Sequence, residues 1–296
     1  MCKLTEISII TILGSGKMGR SIASFFSEKG IYTILYDPFE EALGLAKSEL
    51  TEHSKVTFTT DLKEAVSNAD LIIESAPENL EIKKNLYQEI TPYLKSNVIV
   101  ASNTSTYPLL VLSKGQSFKN RMLIVHFFNP ADLVPLVEIV KQDDTEEGIV
   151  ENVKDFLSHC GKVPVVLQKD IKGFIANRLQ SALLREACYL LKEGVADAAS
   201  IDTVVKESIG LRWALNGPFE ITDYGGLDIW AKVLNNLLPF LDNSITVPDI
   251  IAEKVAHNKI GVKTGEGFFN YECNISNQEI LKQRKLLKSV LDIKKS

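Results

Sequence analysis

Apolar residues in the first half of the chain fall into short β-branched runs separated by amphipathic stretches. Residues 7–13, 32–36, 56–59, 71–74, 98–101, 122–126, 136–140 and 163–167 read as strands, several of them apolar on both faces. Between them Ile22, Ala23, Phe25 and Phe26 recur at helical spacing, as do Leu43, Ala46 and Leu50, then Ile82, Leu86, Ile90 and Leu94. Residues 38–50, 80–94 and 145–160 are therefore expected to be helical, with a capped helical turn over 61–66. Strand alternating with helix predicts an α/β fold built on a doubly wound parallel sheet. The pattern changes at Asp170-Ile171-Lys172-Gly173. Beyond it helical periodicity takes over at 174–193, 201–209, 218–224, 229–241 and 247–258. Gly194 and Gly210 are read as stops, and 278–295 as a charged surface helix. The expected division is residues 1–170 and an all-α domain over 171–296.

The first strand runs into Gly14-Ser15-Gly16-Lys17-Met18-Gly19, and the second ends at Asp37. Gly14 permits a tight turn, Gly16 lets a pyrophosphate approach the backbone, and Gly19 lets the helix pack closely on the strand. The helix N-terminus then faces the diphosphate. Asp37 is placed to accept hydrogen bonds from an adenosine ribose and to repel a 2′-phosphate. A Rossmann-type domain that binds NAD rather than NADP is expected.

The remaining composition narrows the partners. A net charge of −5 without a basic block argues against nucleic acid. No apolar run reaches membrane-spanning length, and the N-terminal apolar run is the first strand rather than a signal peptide. Cys2, Cys160, Cys188 and Cys273 lack metal-ligand spacing. They read as reduced thiols of a cytoplasmic protein, with no metal expected.

An enzyme that oxidises an alcohol needs a base for the hydroxyl proton. His126 ends a strand in His126-Phe127-Phe128-Asn129-Pro130, where ligands of such sheets bind. Glu138, on the next strand, is placed to orient its ring. Taken alone, a histidine at a strand end is more often a satisfied packing residue. His53, His159 and His257 lie at helix ends. Ser102–Ser105 is a polar loop on the same sheet edge, or a plain turn. Glu74 and Glu78 end the fourth strand and could cap the helix that follows. Asn177 and Arg178 open the long helix, Arg178 being equally a domain-interface ion pair.

Together Gly14–Gly19, Ala101-Ser102-Asn103-Thr104-Ser105, His126–Pro130, Gly173-Phe174-Ile175-Ala176-Asn177-Arg178 and Lys263-Thr264-Gly265-Glu266-Gly267-Phe268 resemble the 3-hydroxyacyl-CoA dehydrogenases. The order holds from Ile7 to Tyr271. The resemblance implies reversible, NAD-dependent oxidation of a 3-hydroxyacyl-CoA of the 3-hydroxybutyryl-CoA type. His126 would be the base, Glu138 its partner, Ser105 the group holding the substrate oxygen beside the nicotinamide, and Asn177 a further pocket residue. It further implies that Gly14, Gly16, Met18, Gly19, Asp37, Glu78, Lys83, Ser105, Asn129 and Lys263 lie against the cofactor, and that the helical domain forms a homodimer. Two departures bear on the substrate. The long helical excursion that supplies CoA contacts in the family is reduced to residues 38–59, leaving Lys47, Ser48 and Lys55 as remnants. The stretch Gly210-Leu211-Arg212-Trp213-Ala214 with Gly217-Pro218 is closer to relatives acting on L-gulonate or L-carnitine, including the lambda-crystallins. Arg212 would then meet a free substrate carboxylate. The alternatives are thus a free 3-hydroxy acid dehydrogenase and a non-catalytic, crystallin-like protein.

Overall fold

The β-branched runs form strands, and in a computed structural model, which describes residues 7–271 and 276–295, they build one sheet. Its strands are β1 (Ile9–Leu13), β2 (Tyr32–Tyr36), β3 (Val56–Thr59), β4 (Leu71–Glu74), β5 (Ile99–Ser102), β6 (Met122–Phe127), β7 (Leu136–Val140) and β8 (Val163–Leu167). Among the described residues the order is β3-β2-β1-β4-β5-β6-β7-β8. The strand order reverses between β1 and β4, which places the ligand crevice at the C-terminal ends of these strands. The sheet is mostly rather than wholly parallel, because β7 runs antiparallel to β6. Residues 128–135 are too few for a crossover helix, so the chain must turn back.

Helices cover both faces of the sheet. They are α1 (Lys17–Glu28), α2 (Glu40–Glu49), α3 (Leu62–Val66), α4 (Leu80–Ile90), α5 (Leu109–Ser113) and α6 (Ile149–His159). Ile10 and Ile12 of β1 join Phe26 in the core on one side, while Leu13 joins Ile72 and Tyr87 on the other. The expected helices hold with trimmed ends. Residues 80–94 become α4 and a 3₁₀ turn at Thr91–Tyr93, where Pro92 ends the α-helical hydrogen bonding. Residues 145–148 stay outside α6, whose N-cap Gly148 has φ +83°. The short helix α5, after Pro108, had no periodic signal long enough to predict it.

The chain divides into two compact units, Met1–Asn177 and Arg178–Ser296. This boundary lies later than the expected one at 170, since Phe174 is buried in the first unit's core. The second unit is helical: most of α7 (Ala176–Lys192), then α8 (Ala198–Val204), α9 (Gly210–Trp213), α10 (Pro218–Gly225), α11 (Leu227–Leu237), α12 (Asp249–Ala256) and α13 (Ser276–Lys295). Gly194, at φ +68°, follows α7 as expected. Gly210 does not stop its helix. A π-helical segment, Val205–Ile209, joins α8 to α9, and Gly210 has helical φ −64°. Its glycine is needed for closeness instead, since a Cβ there would lie 3.0 Å from the carbonyl oxygen of Val205. Among the described residues from Arg178 onward, only Cys188 is buried, while Phe219, Phe240 and Ile245 are exposed.

No helix among the described residues is long and apolar enough to cross a membrane. Cys160 and Cys188 are buried free thiols; Cys2 and Cys273 lie outside the described residues.

Candidate active site

The turn between β1 and α1 is shaped by glycine at each end. Gly14 has φ +111°, and a Cβ on it would lie 2.6 Å from the carbonyl oxygen of Ser75. A Cβ on Gly19 would overlap the carbonyl oxygen of Gly14. Around Gly16, by contrast, nothing lies within 4 Å of such a Cβ. Gly16 is the N-cap of α1, with no side-chain cap and no acid in the first turn, so the helix end is open to an anion. Met18 packs against the core. Asp37 is tied to the same turn: its Oδ2 accepts hydrogen bonds from the Ser15 N–H and hydroxyl, each 2.9 Å, and its Oδ1 from the Phe39 N–H. A carboxylate has about four acceptor sites, so capacity remains for ribose hydroxyls. Ser15, fully buried, was not singled out by the motif because its position there is variable in type. This open cradle, with its adjoining acid, fits a dinucleotide.

At the ends of β4 and β5 the acids do not cap α4. That is done by Asn79, whose side chain accepts from the Glu81 and Ile82 N–H groups. Glu74 is instead fully buried, pairing with Lys83 at 2.7 Å and accepting from the Tyr87 and Ser102 hydroxyls, each at 2.7 Å. Lys83 also lies 3.3 Å from Glu78 Oε2 and is 1% exposed, so its ammonium is enclosed by acids. Glu78 Oε1 accepts from Thr104, Ser105 and Thr106. Burial works against the charge of Glu78, but the Thr104 and Thr106 hydroxyls and Lys83 outweigh it and hold its carboxyl below the ordinary range.

His126 and Glu138 meet as expected. His126 Nδ1 lies 3.0 Å from Glu138 Oε2, and both residues are buried. Glu138 Oε1 accepts from the Ile175 and Ala176 N–H groups at 2.9 and 3.0 Å. Burial raises the Glu138 carboxyl, yet His126 and these two N–H groups together bring it below the ordinary range. An ionised Glu138 fixes the proton on Nδ1 and leaves Nε2 as the basic nitrogen. Phe128 and Phe174 flank the ring, with centroids 4.5 and 5.4 Å away. Asn103 Oδ1 accepts from the Phe127 N–H, tying the β5 loop to this strand. His53, His159 and His257 have other partners: Ser24 Oγ, the Asp155 carbonyl and the Glu253 carbonyl.

The model for the NAD-binding domain of 3-hydroxyacyl-CoA dehydrogenases matches residues 9–171, and that for their C-terminal domain matches 173–271. The chain belongs to the 3-hydroxyacyl-CoA dehydrogenase family. It is an NAD-dependent oxidoreductase acting on CH–OH. It is 36% identical to 5-formyl-3-hydroxy-2-methylpyridine 4-carboxylate 5-dehydrogenase of Mesorhizobium japonicum, over 88% of this chain and 90% of that protein. To the mitochondrial hydroxyacyl-coenzyme A dehydrogenase of Sus scrofa it is 33% identical, over 89% of this chain and 91% of the other. A crystal structure of the pyridine carboxylic acid dehydrogenase, described as an NAD⁺-dependent dismutase, superposes with a TM-score of 0.94 and 34% identity. That match covers 97% of this chain and 98% of the other.

Against this family pattern the CoA remnants are committed elsewhere. Lys47 pairs with Glu40 at 2.8 Å, the Ser48 hydroxyl donates to the Leu45 carbonyl, and the Lys55 ammonium sits 4.0 Å from the Tyr32 ring centre. The α2–β3 connection is only residues 50–55. Asn129 is exposed after β6, Asn177 follows the N–H groups that hold Glu138, and Arg212 and Lys263 are exposed in the second unit.

Proposed function

We propose that this protein catalyses reversible NAD-dependent oxidation of a hydroxyl group on a compact substrate bearing a free carboxylate. The observation that carries the substrate class is the six-residue α2–β3 connection, with Lys47, Ser48 and Lys55 already bonded. A CoA ester presents phosphates that need cationic or N–H partners, and the two cations of this part of the chain, Lys47 and Lys55, already face Glu40 and Tyr32. The Mesorhizobium relative, named for a pyridine carboxylate, supports the same direction.

In this reading NAD, when bound, supplies the hydride acceptor. His126 Nε2 takes the hydroxyl proton, and Glu138 stabilises the resulting imidazolium from the other ring nitrogen. Ser105 and Asn177 donate to the substrate oxygen. Asp37 binds the adenosine ribose, and Glu78 and Asn129 border the cofactor. Lys83 acts from beneath, through Glu78. The chain is a homodimer, because the second unit exposes large apolar side chains, among them Phe219, Phe240 and Ile245, that a second copy would cover. The free buried thiols suit the cytoplasm.

A second reading, oxidation of a 3-hydroxyacyl-CoA, is favoured by the porcine relative. The two are separated by following NADH oxidation with acetoacetyl-CoA, acetoacetate, 3-dehydrocarnitine, 3-dehydro-L-gulonate and an aromatic formyl carboxylate. Turnover of a free acid far above that of acetoacetyl-CoA, and lost in Arg212→Ala, is expected. Preference for acetoacetyl-CoA installs the second reading.

A further inference from the structure

The catalytic histidine has its own support, but Ser105 lies in a loop and needs a different one. One carboxylate oxygen, Glu78 Oε1, accepts from the Thr104 hydroxyl at 2.5 Å and the Thr106 hydroxyl at 2.6 Å. It also accepts from the Ser105 and Thr106 N–H groups, each at 3.2 Å. Four donors converging on one oxygen require a full negative charge there. The other oxygen of Glu78 lies 3.3 Å from Lys83 Nζ, which also donates to the Ala76 carbonyl. Lys83 is in turn fixed by Glu74, whose Oε1 accepts from it and from the Ala76 N–H. Glu74 Oε2 takes the hydroxyls of Tyr87 and Ser102. Glu74, Tyr87 and Ser102 have no exposed surface, so none of them can touch a substrate.

We propose that Tyr87, Glu74, Lys83 and Glu78 form one positioning relay, from the buried face of α4 to the 104–106 loop, that holds Ser105 in register with His126. This rests on the role given to Ser105 above and extends it to residues that lie out of reach of the reaction. The relay follows from the chain's own layout. Glu74 ends β4, while Lys83 and Tyr87 are one helical turn apart on α4, so both face the strand end. The two acids and one ammonium leave one negative charge over, and the loop's hydroxyls and N–H groups gather on Glu78.

The Ser105 and Thr106 amides report the relay directly, without substrate. Amide hydrogen exchange would be measured on the full chain, with and without NAD. Removing Lys83 alone would strand two buried acids, so the informative variants are Glu78→Ala, Glu78→Gln and the paired Glu74→Gln/Lys83→Met. Exchange at Ser105 and Thr106 should rise about tenfold or more in Glu78→Ala and in the paired variant. The Asn103 amide, bonded to the Glu74 backbone carbonyl, should keep its rate. Glu78→Gln, which keeps an acceptor for the loop but turns an amide toward Lys83, should fall between. kcat should drop in the same order. Should the paired variant not fold, Tyr87→Phe, which removes one hydroxyl and no volume of consequence, should give the same effect at smaller size. Unchanged exchange at Ser105 and Thr106 in the folded variants overturns the relay. If the wild type oxidises no hydroxy substrate, the functional reading fails while the exchange result still stands.

Discussion

His126 and Glu138 are register partners across the antiparallel pairing of β6 with β7. Directly opposed residues on neighbouring strands point to the same face, so the sheet itself brings base and acid together. A parallel β7 would need a crossover helix and would place a different residue opposite the histidine. His126→Ala is expected to lower turnover by about 100-fold or more, the usual scale for a positioned acid–base group, with NAD affinity little changed. Glu138→Gln should be milder. It should also change the pH dependence of turnover, because the ring loses its charged partner. Stopped-flow NADH absorbance across pH checks both; full turnover in His126→Ala moves the base elsewhere.

Two side chains, Asp37 and Arg20, meet at Ser15. Asp37 accepts from its N–H and hydroxyl, while Arg20 donates to its carbonyl at 2.8 Å and pairs with Glu49 at 2.7 Å. A cation is therefore already close to Asp37, paired with Glu49. The double change Asp37→Ser/Glu49→Gln should raise kcat/KM for NADP about tenfold or more, removing a repulsive charge and releasing a phosphate partner. Wild type using NADP as well as NAD would contradict this reading of Asp37.

Most of this architecture was legible in the chain. Two-sided apolar strands, the glycine turn and the helical shift after Asp170 are local patterns, and local patterns survive folding. What escaped was set by contacts distant in sequence. Glu74 looked like a helix cap because only the folded sheet shows that Tyr87, Lys83 and Ser102 enclose it. Gly210 looked like a stop because the π-helical segment that needs it leaves no periodic mark. The reversal of β7 was foreshadowed only by the shortness of residues 128–135, a length cue rather than a pattern.

Lys162 offers a pH signature of the loop after β6. Its ammonium donates to the carbonyls of Ala131 and Val134 and lies 4.0 Å from the Phe25 ring centre. Burial pulls its pKa down to about 8, against the attraction of Asp132. Between about 8 and the unfolded chain's 10.5 the unfolded state holds a proton that the folded state has lost, so stability rises with pH in that window. The gain is at most about 3 kcal/mol. Urea titrations of wild type and Lys162→Met at pH 7.5, 9 and 10.5 (roughly the window's span) should show the wild type gaining on the variant as pH rises. Parallel curves would place the lysine in a more hydrated setting.

Assembly is the fourth prediction. Sedimentation equilibrium of the full chain should give twice the chain mass, and Phe219→Glu/Phe240→Glu should weaken that association or reduce folded yield. These large apolar side chains are 84% and 77% exposed, and a partner surface would take them out of water. A wild type that remains monomeric at micromolar concentration rules the dimer out.

The six residues between α2 and β3 have a consequence for how such enzymes diversify. They join a surface helix to the edge strand of the sheet, far in sequence from β6 and β7. Lengthening a surface connection costs little, since closure entropy grows only with the logarithm of its length. A substrate handle could be gained or shed here by insertion or deletion, while the strands that pair base with acid keep their register. The length of this connection and the pairing of His126 with Glu138 are thus separately heritable.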